Sequence, residues 1–550
     1  MLVLPRRELF NLLFSVCMSP GTQSRVTNMS LGGTILTITF VFALYITIRS
    51  IYRLFLSPVA QIPGPKLAAV SRLYELYFDL AQGGRLPWKI QELHDEYGPI
   101  VRIGPNEVHV ADPQYAAHHF NTRANKYGPH RNRFGFPEAT SETAEADLHK
   151  HRAHALAPAF SRKAVVDLEP LIKAQVSKVC QRLSELRHTQ RSKGESSVID
   201  LRKLFLCMTT DTLTTFGFGF SFDLLDDPDL AAPWRQALDD ALRNVQMMKH
   251  FPILWELLRR PAVSDWLVRA KPGLAVTIDF QNRNKQIAWE TVSRYSLGEN
   301  NEEKITLAGH ESKGKTSSET TVPKTVFEQL LSSDLPEKEK SYDRLWQEAS
   351  SLMGAGTETV ANMLSYTFVQ LLSNPTSLSK LREELESRIL DPSPASLPSW
   401  TELEQFPYLS AVICEGLRMS TSVVHRMLRV LPAETEVCGY VLPKGTVVGM
   451  SIPILHHDAT VWPDPYKWMP ERFLGPEGKG KKDIYSFSKG PRACTGIYFA
   501  YAQLYLTLAA VVRQFRLELY ETTIRAVEPY YDGVVALTRH DSKGARVVVL

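Results

Sequence analysis

The chain is poor in cysteine, and the cysteines it has are unpaired. Cys17, Cys180, Cys207, Cys414, Cys438 and Cys494 are scattered over 550 residues with no CxxC spacing. That excludes a disulfide framework and a structural zinc site, and it places the bulk of the chain in a reducing compartment. A nucleotide-binding glycine loop is also missing, because Gly217-Phe218-Gly219 is too short and lacks a strand-to-helix setting. Charge of one sign is scarce: a net +4 gives no argument for a nucleic-acid partner. There is no internal repeat. A single segment reads as membrane-spanning, which argues against a transporter.

That segment is Leu31 to Ile48, LGGTILTITFVFALYITI, which carries no charge. As a helix it spans about 27 Å, close to the ~30 Å hydrocarbon core of a bilayer. Arg49 and Arg53 follow at once and only Arg25 sits close before it, so the basic bias puts the body of the chain on the cytosolic side. Arg6 and Arg7 weaken that bias, and a buried core helix is the alternative. The expected organisation is an N-terminal lumenal segment (1–30), a transmembrane anchor (31–48), a proline-rich linker (49–66) and one large domain (67–550). The sequon Asn28-Met29-Ser30 would be lumenal, but so close to the membrane that it is expected to stay unused.

Pro58, Pro63 and Pro65 predict a stiff, extended linker. The stretch YGPIVRIGPNEVHVADP alternates apolar and polar residues around Gly104-Pro105-Asn106, a hairpin pattern, and strand signals recur over Glu436–Met450. Residues 296–324, rich in Glu, Lys, Ser, Thr and Gly, read as a solvated insertion. Helical periodicity dominates elsewhere, so the expected fold class is mainly α with a minor β part.

Late in the chain, YSFSKGPRACTGIYFA sets one cysteine in a loop of glycine, proline and two basic residues, directly before an apolar helix. Gly490-Pro491 makes a turn, and Gly496 lets the chain pass close to something flat and bulky. A helix N-terminus favours an anion, so Cys494 is poised as a thiolate. One unaccompanied thiolate suits a metal that already has most of its ligands, and haem iron fits that need. On the residues alone, an ordinary buried cysteine beside a turn is the alternative.

The run Phe487-Ser488-Lys489-Gly490-Pro491-Arg492-Ala493-Cys494-Thr495-Gly496 resembles the FxxGxRxCxG loop of the cytochrome P450 family. The resemblance implies that Cys494 is the proximal ligand of haem b, that Arg492 pairs with a propionate and that Phe487 packs near the sulfur, with Gly490 and Gly496 shaping the loop. The helical run RLWQEASSLMGAGTETVANMLSYTFVQLLSNP holds Gly354 and Gly356 in its middle, where each costs ~1 kcal/mol against alanine. Ala355-Gly356-Thr357-Glu358-Thr359 resembles the family's (A/G)Gx(D/E)T segment. By that resemblance Gly356 leaves room for O2, the Thr359 hydroxyl donates a hydrogen bond on the oxygen-binding side, and Glu358 feeds protons through water. Without the family, the glycines suit a packing contact between helices.

Glu415 and Arg418 stand three residues apart among Leu409, Val412 and Ile413, so they are expected to pair in the interior. They match the family's ExxR, which closes with a later arginine, here Arg472 in WMPERF. Ahead of LAPAFS the family commonly carries WxxxR, and this chain has His149 and Ala153 instead. His149 is expected to substitute, with Arg152 or His154 covering for the absent arginine. Family register also gives a substrate pocket of Met353, Val423, Val424, Val534 and Val535, residues equally suited to a core.

The motif order covers nearly the whole chain, and IPGPKLAAVSRLYELYFDL and LSSDLPEKEKSYDRLWQEA resemble fungal secondary-metabolism members, trichodiene oxygenase-type enzymes in particular. The resemblance implies a single large P450-type domain after the anchor. It also implies a haem-thiolate monooxygenase acting on an apolar small molecule, a terpenoid or polyketide. Electrons would come from NADPH through NADPH–cytochrome P450 reductase, and the chain would sit single-pass in the endoplasmic reticulum membrane, catalytic domain cytosolic. Lys479, Lys481, Lys482 and Lys489 form a basic spot suited to an acidic partner. Two rivals stand beside this reading: a reductase-independent haem-thiolate isomerase or dehydratase, and a non-catalytic haem-binding membrane protein. The Glu358-Thr359 pair argues against both.

Overall fold

The structure is a computed structural model that describes residues 31–193, 198–230, 232–258, 260–270, 273–296, 324–391, 393, 396–475 and 480–550. The segment 1–30 with its sequon, nearly all of the polar insertion, and Lys479 lie outside the described residues.

Helix α1 (Leu31–Ile51) runs past the expected anchor into a π-helical turn, Tyr52–Leu56. Its threonines Thr37, Thr39 and Thr47 donate to carbonyls four residues earlier, which satisfies hydroxyls that a bilayer would leave unpaired. Residues Gly32–Leu56 have mean hydropathy 1.8 with none of that window buried, so α1 is long and apolar enough to cross a membrane.

The linker is not an extended spacer. Val59 and Ile62 are buried, and Pro63 accepts a hydrogen bond from the Arg102 N–H at 2.7 Å. That docks it on strand β1 (Ile100–Gly104), which forms a hairpin with β2 (Glu107–Val110). The Arg102 guanidinium, itself buried, donates to the carbonyls of Arg53, Gly104 and Pro105. Prolines in the linker lack N–H groups, so the side chain of Arg102 and the Arg53–Val70 hydrogen bond supply much of its attachment.

The hairpin belongs to a four-stranded sheet with β3 (Met427–Val430) and β4 (Val447–Met450), in the order β1-β2-β4-β3. β2 and β4 are parallel, so residues near 108 and 448 become neighbours. A late hairpin of β5 (Tyr531–Gly533) and β6 (Val535–Leu537) lies against residue 423 through a Val423–Val535 bridge.

Helices make up the rest. They include α2 (Ala146–Leu156), α3 (Leu201–Phe218), α4 (Ala232–His250), α5 (Tyr342–Ser373), α6 (Pro407–Ser420) and α7 (Ile497–Gln514). α3 starts where Asp200 caps the Arg202 N–H and ends at Gly219, whose φ of 81° few other residues tolerate. α5 is buried almost all round and packs most closely on α3. α6 begins with Pro407, and the Glu384 carboxylate accepts the free N–H groups of Tyr408 and Leu409.

Arg102→Met removes three bonds to buried carbonyls and is expected to lower unfolding stability by about 2–4 kcal/mol. Urea titration together with limited proteolysis of residues 49–66 checks it; unchanged stability with unchanged cleavage refutes the docking role.

Candidate functional site

The cysteine loop is built from its backbone outward. Gly490 has φ 66°, and a Cβ there would meet the Phe120 carbonyl at 2.6 Å, so glycine is required on both counts. The Cys494 N–H donates to the Phe487 carbonyl at 2.8 Å, which folds the loop around the sulfur, and Phe487 packs on Tyr501. α7 starts at Ile497 with Gly496 as its N-cap, so Thr495 alone separates the cap from the cysteine. Enclosure by protein raises the thiol pKa despite the Gly496 N–H. The helix terminus alone therefore does not create the thiolate that the sequence suggested; desolvation opposes it. A Cβ at Gly496 would touch Phe160 at no less than 3.8 Å, so the protein itself does not demand glycine there.

Glu415 and Arg418 are both fully buried and joined by two bonds of 2.8 and 2.9 Å. Glu415 also accepts from Arg472 Nε at 3.3 Å and from the Met469 N–H at 2.9 Å. Arg418 donates to the carbonyls of His456 and Pro465. His456, which sequence reasoning passed over, completes the path: Nδ1 donates to the Arg418 carbonyl and Nε2 accepts the Tyr485 N–H at 2.8 Å. Burial pushes its pKa down to about 3, so the imidazole is neutral and both bonds hold. Thus α6 is tied to the segment that leads into Cys494.

Cys494, Arg492 and Phe487 face Ala355, Gly356 and Thr359 of α5 across one cavity of about 490 Å³. The Thr359 hydroxyl donates to the Ala355 carbonyl at 2.9 Å. A Cβ on Gly356 would press on the Leu213 side chain at 2.9 Å, so glycine lets α5 approach Leu213 of α3, which lines the same cavity. Glu358 lies on another face, wholly buried and bonded to Arg202 at 2.7 Å, and Arg202 also meets Asp239. Burial raises the Glu358 carboxyl pKa, with Arg202 pulling it back.

One edge of the cavity gathers Lys126, His149, Arg429 and Arg492. None of the three cations makes an ion pair among the described residues. Burial, with repulsion from its neighbours, lowers Lys126 to about 7, Arg492 to about 10 and His149 to about 3; burial alone lowers Arg429 to about 10. The Arg429 Nε has no partner. Buried cations without counter-ions form a cradle for anionic groups, and the two propionates of haem b fit it. His149 takes the expected place. Arg152 does not cover for the missing arginine: it points to Glu138, Thr143 and Glu339. His154 is exposed and does not line the cavity. Lys126 and Arg429 stand at that edge instead; the only sequence signal was an arginine inside the apolar strand MLRV.

Val423, Val534 and Val535 line the cavity, whereas Met353 and Val424 are buried in the core and do not. Further lining comes from Phe134, Phe136, Leu238 and Leu242. His425, also unforeseen, lines the cavity with Nδ1 on Asp532 at 2.8 Å. Of the basic spot, Lys481 and Lys482 are exposed, while Lys489 folds back on the Lys482 carbonyl and the Tyr485 ring.

Residues 72–540 match the family described as cytochrome P450. The chain belongs to that family: it is a cytochrome P450 monooxygenase, and the family implies a haem-thiolate cofactor. It is similar to fungal monooxygenases of secondary metabolism. Cytochrome P450 monooxygenase MO6277 of Ascocoryne sarcoides is 34% identical over 94% of this chain and 98% of the relative. Tryptophan 6-hydroxylase fscE of Fusarium equiseti is 34% identical over 93% of this chain and 96% of its own length. Cytochrome P450 monooxygenase TRI4 of Trichoderma arundinaceum is 33% identical over 90% and 91%.

Arg429→Leu is expected to speed haem loss to a scavenger about tenfold or more, since it deletes a charge-assisted contact. An unchanged rate would remove Arg429 from the cradle. A second expectation concerns pH. His456 is depressed from its ordinary 6.5 to about 3, so its contribution to stability is complete above about pH 6.5 and is lost as pH falls toward 3. His456→Gln keeps one donor and one acceptor without titrating. Its stability, followed by urea unfolding, should fall less steeply between pH 6.5 and 4, by up to about one proton; equal slopes refute this.

Proposed function

We propose that the chain inserts one atom of O2 into a mainly apolar small molecule of secondary metabolism, by hydroxylation or epoxidation. The observation that carries this reading is the placement of Cys494 opposite Ala355 and Thr359 in one enclosed cavity with a cationic edge. Haem held there by Cys494 would supply oxygen activation, the electron-rich thiolate favouring O–O cleavage. Lys126, His149, Arg429 and Arg492 hold the propionates. The loop from Phe487 to Gly496 orients the sulfur, and the Glu415–Arg418–His456 path keeps that loop in register.

Thr359 presents its hydroxyl on the cavity wall; its single O–H hydrogen goes to the Ala355 carbonyl, and turning the hydroxyl out of that bond lets it donate to the reacting oxygen instead. Glu358 holds the next proton. Its carboxyl, raised by burial, is connected through Arg202 to the half-exposed Asp239, which supports proton entry from solvent along α3 and α4. Aliphatic and aromatic walls exclude water and accept an apolar skeleton.

Electrons come from NADPH through NADPH–cytochrome P450 reductase, and the exposed Lys481 and Lys482 suit an acidic docking face. α1 anchors the chain in the endoplasmic reticulum membrane, with Arg49 and Arg53 setting residues 49–550 on the cytosolic side. The relative fscE, by its name, hydroxylates an indole ring, so an aromatic substrate stands beside terpenoids and polyketides for this chain.

The test is a carbon monoxide difference spectrum of dithionite-reduced membranes. A strongly red-shifted Soret band, abolished in Cys494→Ala, is expected. A band typical of histidine-ligated haem, or no haem uptake, refutes the proposal; product formation without NADPH or reductase would favour an isomerase.

A further inference from the structure

Among the buried side-chain atoms without a hydrogen-bond partner, three nitrogens belong to cavity-lining residues away from the cationic edge. They are His425 Nε2, Trp255 Nε1 and Gln281 Nε2. A buried polar atom left unpaired costs free energy, and natural folds rarely leave it so without a functional reason.

His425 is the best defined. It is 3% exposed and sits between Val423 and the β5–β6 hairpin, both on the cavity wall. Its Nδ1 meets Asp532 Oδ2 at 2.8 Å, while Asp532 Oδ1 accepts the Val534 N–H at 2.7 Å. Asp532 is fixed further: its carbonyl accepts from Gln246 of α4, and its N–H donates to the Gly84 carbonyl. Despite burial, His425, Lys249 and the Val534 N–H hold its carboxyl at about 2, so it is a carboxylate and only accepts. The proton on the His425–Asp532 contact must therefore ride on Nδ1. Burial keeps the imidazole below its ordinary pKa, so it is neutral, and Nε2 presents a lone pair.

Trp255 and Gln281 support a polar ligand independently. Both press against Gly135, whose φ is 79° and whose added Cβ would lie 2.7 Å from Gln281 Nε2 and 2.8 Å from the Trp255 ring. Trp255 Nε1 is a donor only. The cavity thus offers an acceptor at His425 and a donor at Trp255, beside apolar wall residues such as Phe134, Leu238 and Val423.

We propose that the substrate is an oxygenated apolar skeleton whose hydroxyl donates a hydrogen bond to His425 Nε2, with Asp532 fixing the tautomer that accepts it. This rests on the monooxygenase reading and names the substrate class for that site: an alcohol rather than a bare hydrocarbon. Its chemistry also sets a place in a reaction sequence, because a hydroxyl-forming step, by oxygenation, hydration or carbonyl reduction, must come before this one.

Spectral binding titrations of the full-length holoenzyme in membranes test it. The probes are farnesol, farnesyl methyl ether and farnesene, with cedrol and cedrene as a second scaffold. The wild type should bind each alcohol about five- to tenfold more tightly than its ether or hydrocarbon, the range expected of one net hydrogen bond. His425→Phe should erase that preference. Asp532→Asn tests the tautomer. Because one oxygen accepts the Val534 N–H, the new amide N–H faces His425, moves the imidazole proton to Nε2 and makes it a donor. The ether should then bind as well as the alcohol.

Equal affinity for alcohol, ether and hydrocarbon, binding of none of them, or a preference that survives in His425→Phe overturns the proposal. The reduced carbon monoxide spectrum of each sample separates failures. Loss of the thiolate band in the wild type sinks the monooxygenase reading, whereas an intact band without alcohol preference sinks the His425 assignment alone. If His425→Phe loses its own band, the Asp532→Asn result decides.

Discussion

Everything that places the cysteine depends on one buried carboxylate. Glu415 receives two bonds from Arg418, one from Arg472 and one from the Met469 N–H. Burying one carboxylate with two guanidiniums gives little net stability, because desolvation cancels most of the attraction. Its value is registry. Through Arg418 it fixes the carbonyls of His456 and Pro465, and through His456 it fixes the backbone at Tyr485, nine residues before Cys494. Hydrogen bonds that all terminate on backbone atoms leave the loop one position to occupy.

The opposite edge of the cavity obeys a different logic. Lys126, Arg429 and Arg492 line one edge of the cavity, where burial lowers the pKa of each and, among the described residues, only carbonyls, not carboxylates, accept hydrogen bonds from them. A site that is strained by itself and relieved by two carboxylates makes cofactor binding part of the folding free energy. The thiol of Cys494 follows the same rule. Enclosure raises its pKa, and a metal ligand bond rather than the helix terminus is what makes a thiolate favourable there.

How much of this was legible in the sequence follows from what kind of signal each part leaves. Cys494, Gly490, Glu415, Arg418 and Arg472 lie in contiguous or closely spaced motifs, and the structure brings each where its motif implied. The mainly helical fold and the Gly104-Pro105-Asn106 hairpin were read from periodicity. Contacts made across long separations were not. Lys126 and Arg429 come together because Asn125 forms an antiparallel bridge with Val430, and His425 finds Asp532 107 residues away. Register arguments also failed, on helix α5 at Met353, where each residue turns by about 100°, and in the extended chain at Val424, where successive side chains alternate sides. Met353 and Val424 each sit one position from a lining residue, and that single step moves them from the wall into the core. Gly356 carries a second demand that its motif did not show: a Cβ there would meet Leu213, which lines the cavity with it. The linker misled because its prolines suggested extension, while the burial of Val59 and Ile62 and the reach of Arg102 came from the far strand.

The charged residues around the cavity roof connect these separate facts. Lys249 at the end of α4 pairs with Glu75 and Asp79, and Arg426 pairs with Glu75 and Glu107. Glu75 and Asp79 lie just after the linker that Arg102 clamps to β1. The roof helix, the segment carrying His425 and Arg426 into β3, and the membrane-proximal segment therefore share one buried set of charges, in which removing any partner leaves another uncompensated. α4 also contributes Gln246 to Asp532, so the same helix touches both the ion network and the His425 dyad. Movement of α4 away from the linker would have to break both kinds of contact at once. The position of the His425 imidazole is consequently shared between the interactions that join the domain to its linker and α5 itself, whose Thr359 carbonyl accepts from the Ser422 hydroxyl and whose Asn362 donates to the Ala536 carbonyl.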